Sequence, residues 1–469
     1  MTVTIFLVGL ITHSSMIHVE LDAFCSTSLT VRCFMRVLLL AENCNPDWPS
    51  LPIVGYKLCR AIGEHIDTVV ATHIRNRPNI ERSGMGRCSV CYFDNEYIAS
   101  PMYKTASLLR GGNSVAWTTG MAMNYLPYLV FEHQVWNKFQ SDLQAKKFDL
   151  VHRVIPMSPT LPSPMAKLSP QPFIIGPLNG GLKWPRGYSA ELAREREYLT
   201  YFRNVFRFLP YSQSTFHRAS AILAAFSHTI RDLPHTNPDR VFDIPEVGID
   251  PDLFASPLKR TPSTPITFLY VGRLVPYKCP DVAISAFASD PLLRNHKLRI
   301  VGDGPERQRL EQMILDHNLT HCVTLVGSVN QAQVGDEMRK ADVFVFPSIR
   351  ELGAGVVVEA MASSLPCIVV EYGAPGELVG NERGICIPLG SKSSMTQAFG
   401  QAMLQLASSP DEIVRIGDRA SEYAMRFFTW DAKAKQVLDI YDWVLGRRQD
   451  RPVVFSRNTM PSPKDCKSL

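Results

Sequence analysis

The feature that most constrains the fold is a short apolar run that opens into a glycine-rich turn and a second apolar segment. Residues 343–346 read Val-Phe-Val-Phe, which predicts a strand buried on both faces. After the turn, residues 355–362 read Gly-Val-Val-Val-Glu-Ala-Met-Ala, which predicts a helix. Buried strands that alternate with helices are typical of parallel sheets, so the pattern indicates an α/β protein.

Two carboxylates flank this turn. Glu351 follows the strand and Glu359 lies one turn into the helix, with seven residues between them. Open α/β sheets bind ligands beyond the carboxyl ends of their strands, so both side chains can face that crevice. Gly353 and Gly355 let the backbone approach a ligand, and the N–H groups of the helix N-terminus suit a diphosphate. Carboxylates that accept hydrogen bonds from sugar hydroxyls complete a nucleotide-sugar site in outline. Taken alone, the pair is equally compatible with two solvated surface residues.

Two cations are predicted at the same edge of the sheet. Residues 266–271 form another apolar run, which Gly272 and Arg273 close, and Lys278 precedes a helical pattern. Arginine binds phosphate oxygens with two N–H groups and lysine acts as a point charge, so together they can neutralise a leaving diphosphate without a metal. Either cation alone would more often be a solvated surface charge.

These motifs, in this order, resemble the retaining glycosyltransferases of family 4. The resemblance is strong over about the last two hundred residues and weaker from Met35 onward. The motifs that carry it are Val-Gly-Arg273 with Lys278, Val-Gly-Asp-Gly-Pro at 301–305, Phe-Pro-Ser at 346–348, and the pair Glu351 and Glu359.

The resemblance implies a GT-B fold, that is, two facing Rossmann-like domains with parallel sheets and a C-terminal crossover helix. It implies that Arg273 and Lys278 bind the donor diphosphate, while Glu351 binds the transferred sugar and Glu359 the ribose. It further implies that the phosphates are bound by backbone N–H groups of Gly353, Ala354, Gly355 and Val356.

The reaction implied by the resemblance is metal-independent transfer with retention from a nucleoside diphosphate sugar. The acceptor would be a glycan, a lipid-linked sugar or a small molecule. The nucleotide sugar is a co-substrate, and no cofactor is expected. A hexosyltransferase of polysaccharide biosynthesis is the kind of enzyme that this describes.

The length of 469 residues exceeds what one core usually organises and predicts more than one domain. The apolar runs and a proline-rich stretch before residue 264 set the expected boundaries. With the domain roles and the crossover helix that the family resemblance implies, we expect a leader or upstream extension outside the fold (1–34), an N-terminal Rossmann-like acceptor-side domain (35–245), a C-terminal Rossmann-like nucleotide-sugar domain (246–428), a crossover helix on the N-terminal domain (429–446) and a disordered tail (447–469).

A turn in the N-terminal half is a further candidate. Asn179, Gly180 and Gly181 follow a predicted strand, and the glycines would let a substrate approach the backbone. A tight connector without a binding role is the other interpretation. By the resemblance, this edge of the N-terminal domain faces the acceptor and the donor sugar.

Two other positions depart from the family pattern. Where family members carry two histidines at the end of the fourth strand, this chain has His152 and then Val154. His152 is therefore a candidate catalytic residue, with a packing role as the alternative. The paired glycines common after the first strand are reduced here to Gly55, a candidate donor-binding residue.

Metal binding is not expected. Asp250-Pro-Asp252 spells the Asp-x-Asp of metal-dependent glycosyltransferases, but it follows a hinge-side turn in which aspartate and proline are ordinary turn formers. The chain has 11 cysteines, and the Cys88 to Cys91 pair has no second pair to complete a zinc site. Reduced thiols in a cytoplasmic setting are the expectation.

Charge and hydropathy restrict the partners. A formal net charge of +5 is small for this length and argues against a nucleic-acid binder. No apolar run is long enough to span a bilayer. Residues 191–222 mix arginines with aromatic residues, so they could lie on an anionic membrane and present a lipid-linked acceptor. We favour the alternative, in which the aromatic residues belong to the core and the arginines are solvated.

Two other classes of function remain open from the sequence. A nucleotide-sugar epimerase would use related geometry without an acceptor. A degenerate sugar-nucleotide-binding protein would keep the pocket without turnover. The intact set of charged residues in the C-terminal half favours the transferase.

Overall fold

The computed structural model describes residues 35–109, 124–195, 208–234, 236–255 and 261–454. The predicted leader 1–34 lies outside the described residues, as do 455–469 of the predicted tail and 196–207 of the predicted basic, aromatic segment.

Strands from the first half of the described chain form one parallel sheet. Its order is β3-β2-β1-β4-β5-β6-β7, and every neighbouring pair is parallel. The strands are β1 (Arg36–Ala41), β2 (Asp67–His73), β3 (Ser89–Phe93), β4 (Leu150–Ile155), β5 (Phe173–Leu178), β6 (Ala219–Ala224) and β7 (Val241–Asp243).

Strands from the second half form a separate parallel sheet. Its order is β10-β9-β8-β11-β12-β13. The strands are β8 (Thr267–Val271), β9 (Lys297–Val301), β10 (Val323–Gly327), β11 (Val343–Phe346), β12 (Cys367–Val370) and β13 (Gly384–Ile387). Two parallel sheets, each with helices packed against it, confirm the predicted fold class of two Rossmann-like domains.

Helices join these strands and cover both sheets. The helices that follow strands of the first sheet are α1 (Leu51–Gly63), α2 (Arg77–Ser83), α3 (Glu96–Leu109), α4 (Tyr125–Gln144), α5 (Met165–Leu168), α6 (Ser189–Glu195), α7 (Ser212–Arg218) and α8 (Phe226–Asp232). Those of the second half are α9 (Pro251–Phe254), α10 (Pro280–Ser289), α11 (Arg307–Asp316), α12 (Gln331–Lys340), α13 (Gly355–Ala362), α14 (Ala374–Val379), α15 (Lys392–Ala407), α16 (Pro410–Phe428) and α17 (Trp430–Val444). Short 3₁₀ turns occupy Ile74–Asn76, Pro238–Arg240, Pro276–Lys278 and Leu293–Asn295.

The strands that carry the predicted site are buried on both faces. All residues of β8 and β11 are buried, as an uninterrupted apolar run in a parallel sheet requires. These two parallel strands are neighbours although two strands intervene in sequence, so the strand order reverses between them. The crevice beyond their carboxyl ends is where open α/β sheets bind ligands.

Helix α17 returns the chain to the first sheet. Helix α16 ends at Phe428, and the Thr429 side chain caps α17 by accepting a hydrogen bond from the Ala432 N–H at 3.1 Å. Apolar residues of α17, among them Val437 and Tyr441, join the core formed with strands β1 and β4. A helix whose apolar face is covered by the first sheet is the crossover helix expected of this fold.

Candidate functional site

An ion pair joins the loops that follow β8 and β11. Lys278 Nζ lies 2.6 Å from a Glu351 carboxylate oxygen, and the two side chains are 12% and 13% exposed. Ser348 Oγ donates a second hydrogen bond to that carboxylate at 2.9 Å. The pair therefore forms where the strand order of the parallel sheet reverses, with limited access to water.

Local contacts fix the lysine in this position. Its ammonium lies 5.0 Å from the centroid of the Phe346 ring, on the last residue of β11. The Ile349 N–H donates to the Tyr277 carbonyl at 2.9 Å and ties the two loops together. Cys279, directly after the lysine, has φ +45°, and this left-handed residue ends the 3₁₀ turn and starts α10.

Arg273 lies on the same loop as Lys278 but is exposed. Its carbonyl accepts hydrogen bonds from the Val275 N–H at 3.0 Å and from the Tyr270 hydroxyl at 3.3 Å, so the backbone at this position is well held. The predicted phosphate-binding cation is thus placed at the carboxyl end of β8, on the rim of the crevice.

The glycine loop, residues 351–355, leads into helix α13. Ala354 occupies the N-cap position with φ +53°, a left-handed conformation that is uncommon for a residue with a side chain. Strain of this kind persists only where the surroundings impose it, and it is frequent at ligand-binding loops. Because α13 starts at Gly355, the N–H groups of Gly355 and Val356 are among those that helix geometry leaves without a partner inside the helix.

Glu359 lies on α13 at the same corner of the molecule. Its carboxylate accepts a hydrogen bond from Gln331 Nε2 at 2.7 Å. Burial raises the pKa of this half-buried carboxyl to about 7, and the positive charge of Lys57 partly opposes that rise. Lys57 comes from α1 of the N-terminal half and pairs with Asp250 at 2.5 Å. No motif in the sequence predicts Lys57 at this position.

The 179–181 turn meets the glycine loop from the other side. The Asn179 backbone N–H donates to the Met157 carbonyl at 2.7 Å. The Asn179 side-chain amide donates to the Glu246 carboxylate. A Cβ built on Gly353 would lie 3.2 Å from Asn179 Nδ2. Gly180 exchanges hydrogen bonds with the Thr229 hydroxyl at 3.2 and 3.0 Å.

Gly181 has φ +77°, and a side chain there would strike the backbone of α8, so this position requires glycine. The segment that follows, residues 182–188, packs on the site. The Arg350 guanidinium lies 5.0 Å from the centroid of the Trp184 ring, and that ring meets the Tyr277 ring edge to face at 6.3 Å. The Tyr372 hydroxyl donates to the Lys183 carbonyl at 2.8 Å. No motif in the sequence predicts that residues 182–188 cover the site.

His152 and Gly55 are placed apart from that group. His152 is fully buried in β4, where its Nδ1 lies 2.5 Å from the Tyr441 hydroxyl of α17 and its Nε2 lies 2.7 Å from the Gly176 carbonyl oxygen. Burial lowers the pKa of His152 to about 4. Gly55 lies within α1, where a Cβ would overlap the Ile155 side chain. It allows the helix to approach β4 closely.

The Asp250-Pro-Asp252 sequence sits at the start of α9. Asp250 is the N-cap residue and is held by Lys57, while Asp252 is exposed in the first turn. Over the residues that the structure describes, no group of three His, Cys, Asp or Glu side chains could hold a metal ion. Cys88 and Cys91 are both free thiols. No helix in the described ranges combines the length and the apolar character needed to cross a bilayer.

Comparison with known proteins relates this geometry to a family. Residues 256–422 match the family model of the glycosyl transferases group 1. A D-inositol 3-phosphate glycosyltransferase 2 from Catenulispora acidiphila is 29% identical over 222 residues, which are 44% of this chain and 51% of the relative. The first curated relatives are thus matched over about half of their own length or less, between 39% and 51%.

Solved structures resemble nearly the whole fold. Sucrose-phosphate synthase from Thermosynechococcus elongatus superposes with a TM-score of 0.57 at 17% identity, covering 88% of this chain and 100% of the synthase. Anabaena Alr3699/HepE in complex with UDP gives a TM-score of 0.58 at 15% identity, covering 87% and 100% of the two chains. At such identities the likeness establishes the fold. The chain therefore has the GT-B fold, and residues 256–422, with Lys278, Glu351 and Glu359, carry a glycosyl transferases group 1 domain.

Proposed function

We propose that this protein is a retaining, metal-independent glycosyltransferase that moves a sugar from a nucleoside diphosphate sugar to a glycan, lipid-linked or small-molecule acceptor. The observation that carries the proposal is the Lys278–Glu351 pair at the β8 and β11 loops, beside the N-terminus of α13. A cation, a carboxylate and a helix N-terminus within one crevice match the charge distribution of a nucleotide sugar.

In the proposed reaction, the acceptor hydroxyl attacks the anomeric carbon from the face that the diphosphate leaves. The bond between that carbon and the diphosphate oxygen breaks, and the hydroxyl proton passes to the departing diphosphate. Arg273, Lys278 and the N–H groups at Gly355 stabilise the negative charge of the leaving group, while Glu351 orients the sugar hydroxyls. Preorganised charge of this kind supplies the rate enhancement without a covalent intermediate.

The comparisons support the class of donor. The matched domain is named for glycosyl transfer, and a structure of the same fold is a complex with UDP. We propose by analogy that Glu359 binds the ribose, since its carboxylate accepts a hydrogen bond from a neutral amide that ribose hydroxyls could replace. We likewise propose that the 179–181 turn, which closes against Gly353, borders the transferred sugar.

An acceptor lipid is a separate proposal. Arg194, at the end of α6, pairs with the buried Glu306 carboxylate at the start of α11. That arginine is therefore engaged within the protein, which favours a structural role for its part of residues 191–222. Liposome flotation with anionic vesicles, comparing wild type with a variant in which Arg196, Arg203 and Arg207 are glutamate, tests the membrane contact. Equal recovery of both would remove it.

The experiment that tests the function measures donor binding and turnover together. The purified protein is incubated with UDP-, GDP- and ADP-linked sugars, and thermal stabilisation is recorded beside release of nucleoside diphosphate. Selective stabilisation with diphosphate release supports the transferase. Stabilisation without release, even with varied acceptors, would favour a binding protein. Conversion of the donor sugar without an acceptor would favour an epimerase, and absence of any response would overturn the site.

A further inference from the structure

A buried carboxylate stands between the two halves of the crevice. Glu246 lies in the linker, residues 244–250, which joins β7 to α9, and it is 3% exposed. One carboxylate oxygen, Oε1, accepts the Asn179 amide, and a Cβ on Gly353 would overlap the same oxygen. One side chain thus touches the turn of the N-terminal sheet and the glycine loop of the C-terminal sheet at once.

The linker that carries this carboxylate is itself clamped by the crossover helix. Lys433 of α17 is 1% exposed and donates a hydrogen bond to the Pro245 carbonyl. A Cβ on Gly248 would lie 2.8 Å from the Trp430 ring, so the helix and the linker are in direct contact. The position of Glu246 is therefore set by elements outside the glycine loop. Its carboxylate can in turn hold that loop in one position.

The neighbouring residue extends the contact. Val247 Cγ1 would lie 3.5 Å from a Cβ at Gly355, an ordinary van der Waals distance. Glu246 and Val247 thus back the glycine loop at both of its glycines, on the side of the linker. The left-handed Ala354 lies between these two supports.

The energetic state of Glu246 points to a role other than stability. Its second oxygen, Oε2, and the Asn179 Oδ1 atom are buried and have no hydrogen-bond partner in the described structure. Burial raises the pKa of Glu246, and the charge of Lys433 opposes this only in part. Polar atoms left unpaired in a protein interior are destabilising, so the Glu246 carboxylate does not serve to stabilise the fold.

We propose that Glu246 is a positioning residue that sets the backbone of the glycine loop, so that its N–H groups face the donor diphosphate. The inference rests on the proposed function, because it assigns a purpose to the loop that the function requires. Glu246 is not one of the charged residues that the sequence predicted for the site, which are Arg273, Lys278, Glu351 and Glu359.

The test compares diphosphate binding with folding stability. The probe is whichever of UDP, GDP and ADP stabilises the wild-type protein most, and its Kd is measured by calorimetry for each variant. Glu246→Ala is expected to raise Kd at least tenfold, while Glu246→Gln, which keeps the shape and one acceptor oxygen, stays within threefold of wild type. The matched control is Glu337→Ala, which removes another buried carboxylate, paired with Arg299 on β9. It is expected to lower the melting temperature without changing Kd.

A second variant keeps the test valid if Glu246→Ala folds poorly. Gly353→Ala places a methyl group against the same carboxylate and is expected to raise Kd at least tenfold. In the double variant Glu246→Ala/Gly353→Ala the clash disappears. Its loss of binding free energy should therefore be smaller than the sum of the losses in the two single variants. A wild-type Kd in Glu246→Ala or in Gly353→Ala would overturn the inference. So would a rise in Kd in Glu337→Ala equal to the rise in Glu246→Ala. If no diphosphate or nucleotide sugar binds the wild-type protein, the proposed function itself fails.

Discussion

Lys278 Nζ lies 2.6 Å from the Glu351 carboxylate, although 73 positions separate the two residues in sequence. They meet because β8 and β11 are neighbours in the sheet and because both side chains follow the carboxyl ends of these strands. Placed in this way, the cation can neutralise a leaving diphosphate while the carboxylate holds the sugar beside it.

Replacing either partner with alanine is expected to lower turnover by about 10²–10³-fold, because each removes a preorganised charge from the transition state. Lys297→Ala, at the exposed amino end of β9, is the control and is expected to leave turnover unchanged. Rates of nucleoside diphosphate release at saturating donor measure the effect. Melting temperatures recorded in parallel separate lost chemistry from lost folding. Near-normal turnover in both Lys278→Ala and Glu351→Ala would contradict the proposed mechanism.

Glu359 should make donor binding pH-dependent. Its pKa is raised from 4.5 to about 7 in the folded protein, so the carboxylate that would accept the ribose hydroxyls is largely protonated below pH 7. Donor affinity is therefore expected to fall as pH drops from about 8 to about 6. Glu359→Gln should bind more weakly at pH 8 and show a flatter profile. Equal pH profiles for wild type and Glu359→Gln would show that Glu359 does not bind the nucleotide.

The same shift has a consequence for stability. Between pH 4.5 and about 7, the folded protein holds a proton on Glu359 that the unfolded chain has released. The contribution of this group to stability is therefore present below pH 4.5 and is lost as pH rises through about 7. Glu359→Gln should gain stability relative to wild type as pH rises from 5 to 8, which urea unfolding at the two pH values measures.

His152 is expected to act on stability. Its ring nitrogens contact Tyr441 and the Gly176 carbonyl inside the core, so His152→Ala should destabilise the protein by about 3 kcal/mol. Tyr441→Phe, which removes only the hydroxyl, should cost less, about 1–2 kcal/mol. Denaturant unfolding and diphosphate release, measured on the same samples, distinguish a structural role of His152 from a catalytic one. Loss of turnover at wild-type stability would instead assign His152 the catalytic role that the family resemblance implies.

His152 also predicts acid sensitivity. Its pKa falls from 6.5 to about 4 on folding, so between these values the unfolded chain binds a proton that the folded protein does not. The stability that neutral His152 contributes is present above pH 6.5 and is lost as pH falls to about 4. The free energy of unfolding should fall by about 3 kcal/mol over this range. His152→Phe should show a smaller loss of stability between pH 6.5 and pH 4.

Chelation should leave the protein unaffected. Asp250, the first aspartate of the Asp-x-Asp sequence, is held by Lys57, and Asp252 points to solvent from the first turn of α9. EDTA is therefore expected to change neither donor binding nor turnover, and added Mg²⁺ or Mn²⁺ should not raise them. Loss of turnover with EDTA, restored by a divalent cation, would assign these aspartates to a metal.

Most of the fold could be predicted from local patterns. The apolar runs around Phe268 and Phe344 predicted buried parallel strands, and the alternation of strands with helices predicted an α/β fold with parallel sheets. The arrangement in two Rossmann-like domains came from the family resemblance. Short or partly buried strands carry a weaker signal: β3 is only partly buried and β7 has three residues, so neither produces an uninterrupted apolar run. The sequence also marked Arg273, Lys278, Glu351 and Glu359, because residues at the carboxyl ends of parallel strands share one edge.

The sequence by itself determined the sheets, the glycine loop and the charged residues on the C-terminal side of the crevice, because these depend on short-range periodicity and on motifs within single βα units. Only the tertiary structure decided which distant residues come into contact, both at the crevice and in the core. Lys57 reaches Asp250, Glu246 stands between Asn179 and Gly353, and His152 is sealed by Tyr441. These contacts join residues up to 289 positions apart, and they form because the linker and the crossover helix bring the two sheets together, which no local pattern encodes.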